Sequence, residues 1–308
     1  MDAGQQCEPP ILNRAISAAR HAHYSITEPL KLKTLRWLYG VDYDDSEFIW
    51  NGPTPLISVV IPTFNRADLL IERALKSAIA QTYPNWEIIV AAHGCTDGTR
   101  QKVERFAKEF RQTRGLGAGV NIAGFVRLSP FDKDIRVIEV PRKRTYPPTP
   151  ENHWFAGPVA PINAALDECR GAWIARLDDD DEWAPEHLET LLQFAQSGNY
   201  EFASSAYETP EKTVPHDGHP TQPIGGVQTW LYRSYLKSFK ANPDCWRKAK
   251  GDNQVNDTDL AQRFRDMGVR IGHLNQVTAK VLPRPGTNLV GLKAYKQDER
   301  ATLAQLAF

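Results

Sequence analysis

The sequence lacks the features that define several large classes of protein. Its 308 residues include only four cysteines, which lie far apart and form no CxxC pair, so neither a zinc site nor a disulfide framework is indicated. No run of about 18 apolar residues is present, and no charged-then-apolar leader opens the chain. We therefore expect no transmembrane segment and a cytoplasmic protein, with peripheral contact at the inner membrane surface left open.

The chain also has no excess charge of either sign. Lysine plus arginine and aspartate plus glutamate each number 37, so global electrostatics give no reason to expect nucleic acid as a partner. The hydrophobic content of 41% and the charged content of 24% are ordinary for a globular protein, and this length can bury one large core. The oligomeric state is not indicated.

Apolar segments of two kinds alternate along the chain after a turn-forming stretch at 51–55. Short β-branched runs predict buried strands, and apolar residues at helical spacing predict the helices between them. Strands are predicted at 56–61, 86–91, 135–140, 172–177 and 202–207, helices at 67–81, 99–110, 159–169, 186–196 and 256–267, and a loop at 141–158. This alternation predicts an α/β domain with a mostly parallel central sheet and helices on both faces.

The first fifty residues differ in character from the rest. Helices are predicted at 11–23 and 28–39, before an acidic stretch at 42–47. The second helix mixes leucines and Trp37 with basic residues, so it is either a docking face for the main body or a basic amphipathic surface. We divide the chain into an N-terminal helical extension (1–53), a main domain (54–285) and a C-terminal tail (286–308).

Four consecutive aspartates, Asp178 to Asp181, follow the apolar strand that ends at Leu177. Neighbouring carboxylates disfavour joint ionisation, so this crowding is costly unless a cation or a proton relieves it. Hard oxygen ligands favour magnesium, manganese or calcium, and a magnesium-type ion completes its shell with phosphates and water. A solvated acidic turn is the alternative. Polar residues also follow two other strands, at 62–66 and 93–98, and such strand ends converge on one crevice.

Five fragments, in this order, closely resemble the family 2 glycosyltransferases with the GT-A fold. They are Ile61-Pro62-Thr63-Phe64-Asn65-Arg66, Gln81-Thr82-Tyr83-Pro84, Glu87-Ile88-Ile89-Val90, Gly94-Cys95-Thr96-Asp97-Gly98-Thr99, and Leu177-Asp178-Asp179-Asp180-Asp181 with Pro185. Each fragment alone is weak evidence. Five in the right order across about 130 residues make a specific match.

The resemblance implies an inverting transferase that moves a sugar from a nucleotide-sugar donor, with UDP as the expected nucleotide, to a hydroxyl of a glycan, lipid-linked or peptide acceptor. It implies a divalent metal, manganese or magnesium, on Asp180 and Asp178 in a DxD motif, where the ion would stabilise the leaving diphosphate. The nucleotide-sugar half would be 54–181 and the acceptor half 182–285. The residues expected to bind the donor are Pro62, Thr63, Phe64, Asn65, Arg66, His93, Asp97, Asp178, Asp179 and Arg284.

The same resemblance assigns a general base and an acceptor loop. Asp257 falls where the family keeps the carboxylate that takes the proton of the sugar hydroxyl. The competing interpretation makes Asp257 a helix N-cap and Asp259 the i,i+4 partner of Arg263. Residues that resemble the acceptor-lining loop are Gly225, Gly226 and Trp230, whose indole could stack on a sugar ring.

The chain departs from the family pattern at two places. His93, after Ala92, stands where many members carry an acidic pair that holds the nucleotide base, so it is either a base or ribose contact or simply a satisfied polar residue. Arg284 stands where the family often has a histidine, so it either grips phosphate oxygens or is a surface arginine. Asp181 and Glu182 we interpret as charges at the N-terminus of the helix after Pro185.

Two other functions stay open at the level of sequence. A degenerate GT-A protein could bind only a glycan or a partner, and the change at His93 mildly favours this. A sugar-phosphate nucleotidyltransferase would share the metal and the nucleotide crevice, but it would usually show a glycine-rich, basic signature near the N-terminus, and this chain has none.

Overall fold

The computed structural model of the protein describes residues 11–41, 50, 52–117, 134–143, 145–147, 149–215, 224–247 and 256–297. The strands in these ranges are β1 (Ile57–Thr63), β2 (Trp86–His93), β3 (Asp134–Val140), β4 (Trp173–Arg176), β5 (Glu182–Trp183), β6 (Phe202–Glu208), β7 (Thr213–Val214), β8 (Trp230–Arg233) and β9 (Ile271–Lys280). The helices are α1 (Ile11–Leu38), α2 (Ala67–Leu70, a π-helical turn Ile71–Leu75, and Lys76–Ile79), α3 (Thr99–Gly117), α4 (Pro150–Ala156), α5 (Val159–Glu168), α6 (His187–Ser197), α7 (Asn256–Asp266) and α8 (Gly291–Gln297).

The described strands form one sheet in the order β3-β2-β1-β4-β8-β6-β9-β5, with β7 paired to β6. The first four pair in parallel, and α3 and α5 pack against this half. β1 and β2 are buried along their whole length, as their continuous apolar runs predict for strands covered on both faces. The carboxyl ends of β1, β2 and β4 therefore meet at one edge of the sheet.

The second half of the sheet is mixed, so the prediction of a mostly parallel sheet holds for the first half and is wrong for the second. β8 lies antiparallel between β4 and β6, whereas β9 runs parallel to β6 and antiparallel to β5. Short antiparallel strands need no crossover helix between them. They bring Phe202, Trp230 and Tyr232 into the same core as β4.

The N-terminal segment is one helix, α1, and the prediction of two helices is wrong. Pro29 lies inside it, although an internal proline removes a hydrogen bond and costs about 3 kcal/mol. Contacts on both sides of the proline offset this cost, because Glu28 pairs with Arg263 and Arg36 binds both carboxylate oxygens of Glu201 at 2.7 and 2.6 Å. One face of α1 is thus docked on the main body. No helix in the described ranges combines the length and apolarity needed to cross a membrane.

The predicted loop at 141–158 contains a short helix, α4. The Thr149 hydroxyl caps it by accepting a hydrogen bond from the backbone nitrogen of Asn152 at 3.1 Å, and Pro150 occupies its first turn. Threonine followed by proline is a helix-start signal, but the surrounding prolines favour a loop. The helix matters for function because it carries His153 and Trp154 to the edge of the crevice described below.

We expect Glu201→Gln to destabilise the protein by about 3 kcal/mol, because it breaks a buried ion pair. The Glu201 carboxylate is fully buried and also accepts hydrogen bonds from the Tyr235 hydroxyl and from the backbone nitrogen of Arg270. Burial alone would raise the pKa of Glu201, but the hydrogen bonds from Arg36, Arg270 and Tyr235 outweigh it and hold the pKa below its ordinary value.

The contribution of Glu201 should therefore be complete above the pKa it has in the unfolded chain and should fade as the pH falls through the lowered folded pKa. Urea unfolding of wild type and variant across this acid range checks both size and sign. Glu208→Gln, at a half-exposed carboxylate of the same strand, is the control and should change stability by less than about 0.5 kcal/mol. A difference between wild type and Glu201→Gln that does not shrink in acid would contradict the assignment.

Candidate active site

A crevice lies at the carboxyl ends of β1, β2 and β4 and encloses about 250 Å³ of space. It gathers ten of the fifteen residues that the sequence singled out. These are Pro62, Thr63, Phe64, Arg66, His93, Asp178, Asp179, Asp180, Asp257 and Arg284. Residues of α4, the start of α7 and the start of α8 complete its walls. Elements far apart in the chain thus converge on one site, as the strand ends predict.

Asp179 ties the end of β4 to the loop after β1. Its two carboxylate oxygens accept hydrogen bonds from the Thr63 hydroxyl at 2.7 Å and from Arg66 Nη1 at 2.8 Å. Burial raises the pKa of Asp179, and the Arg66 charge opposes that rise. With both oxygens engaged, Asp179 holds Thr63 and Arg66 in place at the floor of the crevice.

Asp180 is paired with two arginines. Arg284 Nε donates to its carboxylate at 2.8 Å, and Arg66 Nη1 lies 3.4 Å away. Burial alone would raise the pKa of Asp180, but the charges of Arg66 and Arg284 outweigh it and lower the pKa, so the carboxylate is ionised. Arg284 is therefore no solvated surface arginine, because its guanidinium lies in the crevice beside the acidic motif.

Asp178 lies on the other side of the motif, and no described residue donates a hydrogen bond to its carboxylate. Burial and the neighbouring Asp180 charge raise the pKa of Asp178 to about 7, although Arg176 opposes the rise. Two carboxylates are the hard oxygen ligands that manganese and magnesium take, and such ions leave most of their shell to phosphates and water. No cluster of three or more candidate ligand side chains occurs in the described ranges. Asp178 and Asp180 thus fit an ion that shares its shell with a bound diphosphate.

Asp257 is the second residue of α7 and lines the same crevice. One carboxylate oxygen accepts a hydrogen bond from the backbone nitrogen of Thr258 at 2.9 Å. Burial raises the pKa of Asp257, and the Arg176 charge opposes the rise. The i,i+4 pair predicted for Asp259 and Arg263 is also present, at 3.6 Å. The two acids of this helix are therefore distinct, since one is an ion-pair partner and the other borders the acidic motif.

Arg176 is a site residue that sequence reasoning missed. It is only 2% exposed, it lines the crevice, and its Nε and Nη1 have no hydrogen-bond partner within the part of the chain that the structure describes. Its guanidinium lies 5.2 Å from the centre of the Trp230 ring and its charge opposes the rise in pKa of both Asp178 and Asp257. The signal in the sequence is a charged residue inside the otherwise apolar run 172–177.

His93 presents a neutral imidazole to the crevice. Burial and the nearby Arg142 charge lower the pKa of His93 to about 4. Its ring donates a hydrogen bond to the backbone of Gly157, whereas Nε2 is buried and has no partner among the described residues. With one ring nitrogen donating, Nε2 carries the lone pair and can accept a hydrogen bond from a ligand.

Two residues predicted to contact the donor, Asp97 and Asn65, make hydrogen bonds within the protein. The carboxylate of Asp97 accepts hydrogen bonds from the backbone nitrogens of Ala67 at 2.9 Å and Thr99 at 3.1 Å, so it caps both α2 and α3. Asn65 Oδ1 accepts a hydrogen bond from the backbone nitrogen of Thr96 at 2.7 Å. Neither residue lines the crevice. They hold together the loops that present Thr63, Phe64 and Arg66.

The predicted acceptor residues Gly225, Gly226 and Trp230 also lie outside the crevice lining. β8 is an interior strand, so Trp230 is 1% exposed and cannot stack on a sugar. Its Nε1 donates to the Gly225 carbonyl at 2.6 Å, which fixes the loop before β8. The next residues in that loop, Val227 and Gln228, reach the crevice instead.

The interpretation of Asp181 and Glu182 as helix N-terminal charges is wrong. Asp181 is buried and accepts a hydrogen bond from the backbone nitrogen of Leu282 at 3.2 Å, whereas Glu182 begins β5 opposite Lys280. The helix itself begins only at His187. The last residue of the acidic tetrad thus joins β4 to the segment after β9.

The sequence is similar to those of known glycosyltransferases. The chain is 28% identical over 185 residues, 60% of its length, to a putative teichuronic acid biosynthesis glycosyltransferase, TuaG, of Bacillus subtilis. It is 27% identical over 153 residues, 50% of its length, to an Escherichia coli enzyme named UDP-Glc:alpha-D-GlcNAc-diphosphoundecaprenol beta-1,3-glucosyltransferase WfgD. The matched stretches cover 58% and 46% of these relatives, so the chain spans about half the length of the curated relatives it matches.

The fold is of the GT-A type, as the resemblance implied. The structure of the mannosyltransferase PcManGT of Pyrobaculum calidifontis, in complex with GDP-Man and Mn²⁺, superposes on 96% of this chain and 84% of its own, with a TM-score of 0.53 at 18% identity. The model of the family described as glycosyl transferase family 2 matches residues 58–144 and 150–266. These two stretches make up more than half of the sequence. The chain therefore belongs to glycosyl transferase family 2.

Proposed function

We propose that this protein is an inverting, metal-dependent glycosyltransferase that moves a sugar from a nucleoside-diphosphate donor to a hydroxyl acceptor. The observation that carries the proposal is the crevice itself, in which Asp178 and Asp180 lie at the end of β4 and Asp257 faces them from α7. Family membership supports the reaction type. The arrangement also supports division of the main domain into a donor half at 54–181 and an acceptor half at 182–285.

In this proposal the donor lies across the ends of β1 and β2. Thr63 and Arg66 are held by Asp179, so a diphosphate entering the crevice meets a fixed guanidinium at Arg66 and a second at Arg284. The lone pair on His93 Nε2 matches a base that offers a ring N–H, as uracil and guanine do. We therefore expect UDP or GDP, and the relative WfgD is named for a UDP-linked donor.

The role of the carboxylates follows from charge. When bound at Asp178 and Asp180, a divalent ion would neutralise charge on the departing diphosphate. Arg284 and Arg66, which both contact Asp180, would hold phosphate oxygens. Asp257 would accept the proton of the acceptor hydroxyl, and a single displacement from the far side of the sugar would invert the anomeric carbon.

The acceptor is proposed to be a glycan or a lipid-linked glycan. Two relatives are named for teichuronic acid biosynthesis and for a diphosphoundecaprenol-linked sugar, which supports a role in surface polysaccharide synthesis. The structural support is the acceptor wall formed by Gln228, Val227 and the start of α7, which places polar and apolar groups around Asp257.

We expect one nucleoside diphosphate, and only in the presence of manganese, to stabilise the protein against heat. Thermal unfolding is followed with UDP, GDP, ADP and CDP, each with MnCl₂ and with EDTA. At 100 times its Kd the correct nucleotide should contribute about 2.7 kcal/mol. Uridine and guanosine, which lack the diphosphate, are the matched controls and should give far smaller shifts.

The other outcomes separate the competing functions. If no nucleotide shifts the thermal unfolding, either with MnCl₂ or with EDTA, the result would favour a degenerate module that binds a glycan or a partner without catalysis. Stabilisation by a nucleoside triphosphate together with a sugar phosphate, and not by a diphosphate, would instead indicate a nucleotidyltransferase.

A further inference from the structure

The outer face of α1 is an apolar surface that the fold leaves uncovered. Its side chains are exposed although they are large, at 69% for Leu12, 68% for Ile26, 65% for Leu30 and 66% for Trp37. At 3.6 residues per turn these four lie within about 40° of one another around the helix. They form a single stripe, here called the α1 stripe, that runs about 38 Å from Leu12 to Trp37. A patch of this kind on a globular protein marks an interaction surface.

The α1 stripe is held rigidly, so its exposure does not come from a loose helix. The opposite face is anchored by the ion pairs of Glu28 with Arg263, Arg36 with Glu201, and Arg20 with Asp244. Leu32, on this inner face, is 1% exposed in the main core. The two faces of one helix therefore have separate roles, the inner one in docking and the outer one in presenting apolar side chains to the surroundings.

The charge around the stripe points to the partner. The exposed charged residues that the structure describes on α1 include no carboxylate, and they are Arg14, Lys31 and Lys33. The one acid of the helix, Glu28, is buried against Arg263. Lys33 lies beside the stripe, whereas Arg14 lies on the other side of the helix and Lys31 donates to the Ser238 carbonyl of the main body at 2.6 Å. A second copy of the chain, joined by a two-fold axis through the stripe, would set Lys33 near its own copy with no exposed carboxylate of α1 to pair with it. A surface of anionic headgroups over an apolar layer complements both the charge and the apolarity.

We propose that the α1 stripe binds a membrane surface that carries anionic lipids. Ile26, Leu30 and Trp37 enter the boundary between headgroups and acyl chains, and Lys33, on the same side of the helix, contacts lipid phosphates. Trp37 suits this depth, because an indole combines an apolar body with a polar N–H. α1 also packs against α7, the helix that begins at Asn256 and carries Asp257, so the acceptor side of the crevice lies close to the bound surface.

The first test is co-sedimentation of the full chain with vesicles of phosphatidylcholine alone and of phosphatidylcholine with phosphatidylglycerol. Wild type should bind the anionic vesicles, and binding should weaken as salt screens the charges. The triple variant Ile26→Gln, Leu30→Gln, Trp37→Gln should lose this binding. Its unfolding midpoint and its response to nucleotide and manganese should match wild type, because none of the three side chains contributes to the core or the crevice.

The second test isolates charge. Lys33→Glu and Lys108→Glu change the net charge equally, but Lys108 lies on α3, in another part of the fold. Lys33→Glu should weaken binding to anionic vesicles by at least about fivefold, whereas Lys108→Glu should leave it close to wild type.

Three results would overturn the proposal. Wild type could fail to bind either vesicle, the triple variant could bind as wild type does, or light scattering could show a dimer that the triple variant converts to a monomer. The last would assign the stripe to a second copy of the chain. None of these results depends on the nucleotide experiment, so the membrane surface and the proposed reaction fail separately.

Discussion

Asp257→Asn should reduce the rate of sugar transfer by about 10²- to 10⁴-fold while leaving the affinity for the nucleotide donor unchanged. This is the range that a positioned general base contributes. Asparagine keeps the shape of the side chain, and its oxygen can still accept the hydrogen bond from the backbone of Thr258, so the start of α7 should stay intact. What the variant loses is the ability to take a proton from the acceptor.

The pH profile gives an independent readout. Burial raises the pKa of Asp257 above its ordinary value, with Arg176 opposing part of the rise. Transfer by wild type should therefore fall as the pH drops through this raised pKa, since the protonated acid cannot act as a base. With manganese saturating, so that Asp178 stays ionised in both proteins, the residual activity of Asp257→Asn should lack that acid limb.

The matched control is Asp266→Asn at the far end of the same helix, where the exposed carboxylate accepts a hydrogen bond from Gln262 at 2.7 Å. It should transfer sugar at the wild-type rate. Donor affinity is measured by calorimetry and initial rates by released nucleoside diphosphate. If Asp257→Asn transferred sugar at the control's rate, the base would have to be another group.

The proposed donor side of the site is predictable from sequence because both of its signals are local: the apolar runs that form strands and the polar residues that directly follow them. The apolar runs that form β1, β2 and β4 each end in polar residues, and parallel pairing brings such ends together without further information. The acidic tetrad looks like one motif in the sequence, yet its members have different partners in the structure. All four line the crevice, but Asp180 pairs with Arg284, Asp179 binds Thr63 and Arg66, and Asp181 accepts a hydrogen bond from the distant backbone of Leu282.

The acceptor side is harder to predict because it depends on which face of an element is buried. Trp230 resembles part of a sugar-binding loop, but its strand is interior, so the indole packs in the core beneath Arg176. Arg176 lies inside an apolar run. Side chains two positions apart in a strand point to the same face, and this alternation would have placed Arg176 on the same face as Asp178. The span of α1 across Pro29 depends on ion pairs with residues more than 150 positions away, which no local pattern can show.

Asp180→Asn should abolish the manganese-dependent part of nucleotide affinity, a loss of at least about 10- to 100-fold, because it removes one of the two proposed carboxylate ligands. The structure raises a specific competing explanation. The Asp180 carboxylate pairs with Arg284 at 2.8 Å, so its loss could act only by releasing that arginine. Arg284→Gln distinguishes the two, since it leaves the carboxylate in place and removes its partner.

If Asp180 is a metal ligand, the two variants should differ in calorimetric titrations of UDP with MnCl₂ and with EDTA. Asp180→Asn should bind the nucleotide equally weakly in both conditions. Arg284→Gln should keep the manganese dependence and bind more weakly in both, because a guanidinium facing the phosphates is gone. Asp68→Asn, which removes an exposed carboxylate of α2 paired with Lys102, is the control and should bind as wild type does.

Identical titrations for Asp180→Asn and Arg284→Gln would show that the carboxylate serves only to hold the arginine. The metal would then have no support from this residue, and Asp178 would be the one carboxylate of the proposed pair left to bind it, with phosphate and water as the other ligands. The proposed reaction would in that case depend more on Arg66 and Arg284 for the charge of the leaving diphosphate. The two variants therefore decide whether Asp180 binds a metal ion or serves only to position the Arg284 guanidinium.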